Sequence, residues 1–91
     1  MSFTIVFTEK YEKRAMQFLK IHPDLLERYD KTLRLLHENP YHPSLRLHPL
    51  KGRLKGLHSV SITMSYRISL ELIISDHEIV LINIGDHDDV Y

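Results

Sequence analysis

Seven of the 91 residues are histidine, and none is cysteine. With an ordinary pKa of about 6.5, histidine can take or give a proton near neutrality. Arginine and lysine can hold the phosphate on which such a transfer would act. The placement of these residues is uneven. No acidic residue occurs between Glu38 and Glu71, and that window holds Arg46, Lys51, Arg53, Lys55 and Arg67 with His42, His48 and His58. Overall, 12 Lys and Arg balance 12 Asp and Glu, so the acid is displaced to flanks that end in Asp86, Asp88 and Asp89. A neutral chain sorted this way can turn a cationic face to a polyanion such as nucleic acid. A solvated basic loop is the plainer reading of the same residues.

Without cysteine there is no thiol nucleophile, disulfide or thiolate zinc site. The histidines are scattered, and only His42 and His48 share a loop, so neither a dedicated metal site nor another cofactor is expected. No apolar run approaches the roughly 18 residues of a membrane span. No basic segment precedes an apolar stretch at the N-terminus, so a soluble protein of the cytoplasm is expected.

These side chains need a frame to position them. A length of 91 residues with 43% apolar content fits a single domain over 1–91. Phe3, Ile5 and Phe7 alternate with polar or β-branched neighbours as a strand does. Thr8 can cap a helix running to about Lys20, with Tyr11, Ala15, Phe18 and Leu19 on its apolar stripe. His22-Pro23-Asp24 breaks the chain and starts a second helix to about Glu38, whose stripe is Leu25, Leu26, Tyr29, Leu33 and Leu36. Its outer face pairs Glu27 with Lys31 and Asp30 with Arg34. Asn39-Pro40 ends it. The proline- and glycine-bearing segment 40–56 is irregular. Three strand-like runs follow, over 59–65, 66–74 and 79–84, the last apolar on both phases and so central or covered on both faces. The order is β-α-α-β-β-β. Helices on the apolar face would leave Ser61, Arg67 and Ser69 on the other, as a polar floor.

The run His48-Pro49-Leu50-Lys51-Gly52-Arg53-Leu54-Lys55-Gly56, the strand start Tyr66-Arg67-Ile68 and the ending Gly85-Asp86-His87-Asp88-Asp89-Val90-Tyr91 belong together. With the length and element order, they resemble the RelE/ParE superfamily of type II toxin–antitoxin toxins, most closely its YafQ-like mRNA interferases. The resemblance covers nearly the whole chain. It implies an α+β fold with a two-helix hairpin on one face of a mainly antiparallel four-stranded sheet. It also implies a metal-independent endoribonuclease that enters the ribosomal A site and cuts mRNA there. A cognate antitoxin would hold the monomeric toxin in a hetero-oligomeric complex in the prokaryotic cytoplasm.

Metal-free RNA cleavage turns the 2′-OH on the adjacent phosphate, and needs a base, an acid and positive charge. On the resemblance, His48 is the base, its backbone biased to extended by Pro49. His87 is the acid and Arg67 the phosphate-holding cation. Lys51, Arg53 and Lys55 would bind RNA backbone, while Tyr66 and Tyr91 would stack on or orient a base. Each has a plainer alternative: a loop histidine at 48, ion pairing to nearby acids at 87 and 67, and burial in the core at 66. The chain departs from the pattern at three places, with Ser61 for a second histidine, Ser65 for an aspartate and Asn83 for an arginine. Two other readings follow, a ParE-like inhibitor of DNA gyrase and a toxin that binds ribosome and antitoxin without cutting.

Overall fold

The computed structural model describes residues 2–90, with the backbone alone at Asp88 and Asp89. Strand β1 (Thr4–Phe7) leads into helix α1 (Glu9–Ile21) through Thr8, whose Oγ1 accepts the Tyr11 N–H at 3.1 Å. Glu9 and Glu12 lie in the first turn and Lys20 in the last, each favourable to the helix dipole. Pro23–Leu25 wind as a 3-10 turn into α2 (Leu26–Glu38). The buried stripe of α2 is Tyr29, Thr32 and Leu36, whereas Leu26, expected on it, is exposed. On a helical wheel Thr32 and Leu26 flank Tyr29 on opposite sides, and α2 rolls toward Thr32.

The second half builds the sheet. Strand β2 (His48–Pro49) is followed by a 3-10 turn at Gly52–Leu54, then β3 (His58–Ser61), β4 (Arg67–Ile73) and β5 (Glu78–Gly85). A short helix α3 (His87–Val90) packs against β4 and β5. The five-stranded sheet has the order β1-β5-β4-β3-β2, with β1 parallel to β5 and the other pairs antiparallel. It holds one strand more than expected, because the pair His48-Pro49 adds to the β3 edge. Strand β5 lies inside the sheet, between β1 and β4, in keeping with its two apolar phases.

Strand β3 ends at Ser61, earlier than its alternating pattern continues. Thr63 Oγ1 accepts the N–H groups of Ser65 and Tyr66 at 3.1 and 3.2 Å, and Ile62 N–H reaches the Tyr66 carbonyl at 2.9 Å. This hydroxyl-closed turn takes residues 62–65 out of the ladder.

Both helices cover one face, where Val60, Ile68, Leu70, Ile79, Leu81 and Ile84 are buried with Tyr11, Phe18 and Leu36. At the helix–helix contact the Tyr11 and Tyr29 hydroxyls lie 3.0 Å apart in the interior. Burial, reinforced by the Tyr29 phenol, pushes Tyr11 far above the usual tyrosine range, and burial raises Tyr29 too. Unfolded tyrosines ionise near pH 10. Above that pH the folded state binds more protons than the unfolded, so stability is unaffected below about pH 10 and falls as pH rises beyond it. Tyr11→Phe is therefore expected to cost about 1 kcal/mol at neutral pH and to make the alkaline loss of stability shallower. In the unmutated chain, the phenolate absorbance that this variant lacks should appear only together with loss of the far-UV circular dichroism. Its appearance in a still-folded protein would refute this account.

Candidate active site

Register places the polar residues in rows across the face opposite the helices. His48 on β2 pairs with Ser59 on β3, Ser59 with Ser69 on β4, and Ser69 with Asn83 on β5. The parallel row is Ser61, Arg67 and Gly85. The rows line up only because the β4–β5 pairing shifts at Ser69/Leu70, which leaves Ile82 unpaired. Without that bulge Asn83 would share the phase of Ile79 and Leu81, toward the helices. With it, Ile84 joins the core and Asn83 and Gly85 join the polar face. The expected floor of Ser61, Arg67 and Ser69 is thus present, and Ser59, His48 and Asn83 extend it.

His48 is half-buried at the edge of this face. Its Nδ1 lies 3.2 Å from the Arg46 carbonyl and its Nε2 3.3 Å from Ser59 Oγ. A carbonyl only accepts, so Nδ1 carries the proton and donates. Nε2 then holds the lone pair, which accepts from the Ser59 hydroxyl. Arg46 sits in the left-handed region at φ 50°, and that turn brings its carbonyl back over the imidazole two residues on. Pro49 fits because β2 is an edge strand, where a missing N–H costs no central ladder bond. Lys51, Arg53 and Lys55 are exposed just beyond, and a cleft of about 310 Å³ is lined by His48, Pro49, Leu50, Lys51 and Leu54.

Arg67 stands between Ser61 and Gly85. Its Nη1 and Ser61 Oγ are both buried without a hydrogen-bond partner. A lost hydrogen bond is costly in the interior, and here two such atoms lie on paired strand positions. Gly85, the register partner of Arg67 on β5, contributes no side chain beside it. His87 is exposed and opens α3 two residues after Gly85.

Tyr66 is not brought to this face. It shares the phase of Ile68 and stacks on the helix side with Phe18 and His22, at centroid distances of 5.1 and 4.7 Å. Ser65 is exposed in the 62–65 turn, and Tyr91 lies outside the described residues. Sequence reasoning passed over Ser59 and also His58, whose Nδ1 is buried without a partner. Ser59 had one signal, its place two residues before Ser61 on the polar phase. Among the described residues no three His, Asp or Glu side chains gather in a way that could hold a metal ion. Nor is any helix among them long and apolar enough to cross a membrane.

No family model matches the sequence, and no curated relative does either. Solved structures do match. The chain superposes on YafQ from E. coli with a TM-score of 0.81 and 19% identity, over 98% of both chains. This is the RelE/ParE toxin fold. The E. coli DinJ–YafQ toxin–antitoxin complex gives a TM-score of 0.79 at 22% identity, over 100% of this chain and 99% of that one. The YoeB–YefM complex from Staphylococcus aureus gives 0.72 at 17% identity, over 96% and 99%. In this chain the fold's polar sheet face holds an imidazole, an arginine and serine hydroxyls, with Arg67 Nη1 and Ser61 Oγ buried and unpartnered.

Relieving the orphaned guanidinium should show as stability. Arg67→Met keeps the length of the side chain and removes the unmet donor. It is expected to stabilise the protein by about 1 kcal/mol, a rise in Tm of roughly 4–8 °C for a domain of this size. Thermal denaturation followed by circular dichroism checks this, and a fall in Tm would show that Arg67 is satisfied in the folded chain.

Proposed function

We propose that this chain is the toxin of a type II toxin–antitoxin pair and acts as a metal-independent endoribonuclease on ribosome-bound mRNA. One observation carries the reading: half-buried His48, Asn83 and Arg67 gather around buried Ser59 and Ser69 on the sheet face opposite the helices, flanked by exposed Lys51, Arg53 and Lys55.

In this mechanism Nε2 of His48 takes the proton of the 2′-OH, which attacks the adjacent phosphorus. The Nδ1–H bond to the Arg46 carbonyl fixes the tautomer and steadies the imidazolium that forms. Arg67 neutralises the charge gained by the phosphorane oxygens, and a guanidinium left unpaired in the resting protein gives up no existing bond to do so. His87, exposed at the start of α3, protonates the departing 5′ oxygen. Lys51, Arg53 and Lys55 hold backbone on either side of the cut, and Tyr91 stacks on a base. Tyr66 takes a packing role instead, given its stack with Phe18 and His22. The chain works in the bacterial cytoplasm, at the ribosomal A site.

A cognate antitoxin is the second partner. The E. coli and S. aureus structures of this fold are toxin–antitoxin complexes. Here β1 is an open sheet edge, and beside it Phe7, Tyr11, Ala15, Met16, Leu19 and Tyr29 line an apolar groove of about 280 Å³. A segment that folds on binding could use both.

The test adds purified protein to a reconstituted translation reaction, with and without ribosomes, and maps mRNA ends by primer extension. Codon-phased cuts that require ribosomes are expected. His48→Ala and His87→Ala should each slow them by about 100- to 10,000-fold, the usual loss for a general acid or base. Cuts at full rate in both variants would remove the histidine mechanism. No cuts from folded protein would end the enzymatic reading.

A further inference from the structure

Beyond the outer edge of β3, a second cavity of about 230 Å³ opens between α2, the 3-10 turn at Pro43–Leu45 and the end of that strand. Its lining includes Arg28, Lys31, Thr32, Ser44, Ser61 and Ile62, and no acidic residue. Some of its polar groups are already engaged. The Thr32 hydroxyl donates to the Arg28 carbonyl at 2.8 Å. The Ser44 hydroxyl donates at 2.8 Å to Nδ1 of His42, which is fixed as an acceptor because the Ser44 N–H also points to it at 3.2 Å. Both are committed.

Three groups are not. Arg28 makes one weak bond, from Nη2 to the Ile62 carbonyl at 3.5 Å. Lys31 was expected to pair with Glu27, yet among the described residues the ion pairs are Lys13–Glu9 and Arg34–Asp30. Ser61 Oγ is buried and has no partner at all. Two exposed cations and a buried hydroxyl therefore line one cavity that holds no acidic side chain to meet them. A tetrahedral oxyanion satisfies all three at once.

We propose that this cavity is a phosphate site, and that its phosphate belongs to the backbone of a single-stranded polynucleotide leaving the polar face. The link is Ser61. It lines the cavity and is also the register partner of Arg67, whose Nη1 is the other orphaned donor of this face. Successive phosphates held first by Arg67 and then by Arg28, Lys31 and Ser61 would carry the strand around the β3 edge. The identity of the carrier rests on the nucleic-acid reading above, but the site does not depend on cleavage.

Two probes test it, inorganic phosphate and an all-2′-deoxy oligonucleotide, which lacks the 2′-OH and cannot be cut. Both are expected to shift the NMR signals of the Ser61 amide and the Arg28 side chain, with the oligonucleotide binding more tightly. Ser61→Ala should weaken both about tenfold, the range of one hydrogen bond to a charged group. The double variant Arg28→Gln/Lys31→Gln should lower the slope of log affinity against log salt for the oligonucleotide by about 0.7, the value for one phosphate on a single strand. Lys31→Arg, which keeps the charge, should bind both probes much as the unmutated chain does, whereas Lys31→Gln should not. Lys10→Gln, an equal charge loss on the exposed start of α1, should change nothing. Shifts with phosphate but not with the oligonucleotide would overturn the backbone assignment and make this a site for free phosphate. No shift with either overturns the site. A chain that binds the deoxy probe here yet cuts no mRNA keeps this site while the interferase reading falls. One that cuts mRNA while the double variant binds the probe unchanged does the reverse.

Discussion

Between Ser69 and Leu70 the pairing of β4 with β5 slips by one residue, so that Ser69 faces Asn83, Leu70 faces Leu81, and Ile82 is left over. That slip lets one central strand serve two faces. Before it, Ile79 and Leu81 point to the helices. After it, Ile84 does, and Asn83 and Gly85 turn to the opposite side beside Ser69 and Arg67. A regular strand of the same sequence would bury the Asn83 amide against α1 and expose Ile84. Either change is costly, since a buried amide without partners and a lost isoleucine contact are each worth kilocalories. The alternation of β4 with β5 therefore fixes the bulge, and the bulge fixes the site.

The face so produced is an expensive one to keep folded. Ser59 and Ser69 are almost fully buried, yet they contribute little apolar surface to offset the ordering of two central strands. Beside them Arg67 and Ser61 leave buried atoms unmet. The opposite face compensates, with Val60, Ile68, Leu70, Ile79 and Leu81 wholly buried under α1 and α2. Such a division, with one face packed for stability and the other polar and under-satisfied, agrees with the proposed function, since function is commonly set against stability.

Much of this was legible in the residues. Alternation in 59–61 and 67–72 separates serines and arginine from valine, isoleucine and leucine, and needs nothing but the period of two. The caps were legible too, because Thr8 and Pro23 act through bonds and dihedrals a few residues away. What escaped depends on distant partners. His48-Pro49 has no strand pattern of its own and becomes a strand only by pairing with Ser59 and His58. The early end of β3 hides in Thr63, whose β-branched shape suits the strand but whose hydroxyl closes the turn. Lys31 shows the same limit from the other side. Spacing offers it Glu27, but both side chains are exposed, where such a pair gains little, and the structure leaves the pair unmade.

The edge position of His48 has a consequence for how the face can work. A base on a central strand would be rigid but walled in by neighbours on both sides. One on a free loop would be accessible but poorly aimed. His48 sits between these cases, on a two-residue edge strand tied to Ser59 on one side and to the Arg46 carbonyl on the other. Pro49 limits its backbone and keeps that edge from recruiting a further strand. The imidazole is thereby aimed across the sheet while the cleft beside Lys51 and Leu54 stays open to solvent. On the proposed function, the RNA strand approaches from this edge, along the residues of the acid-free window. The neutral net charge thus masks a polarity of the molecule, which the chain order alone had already drawn.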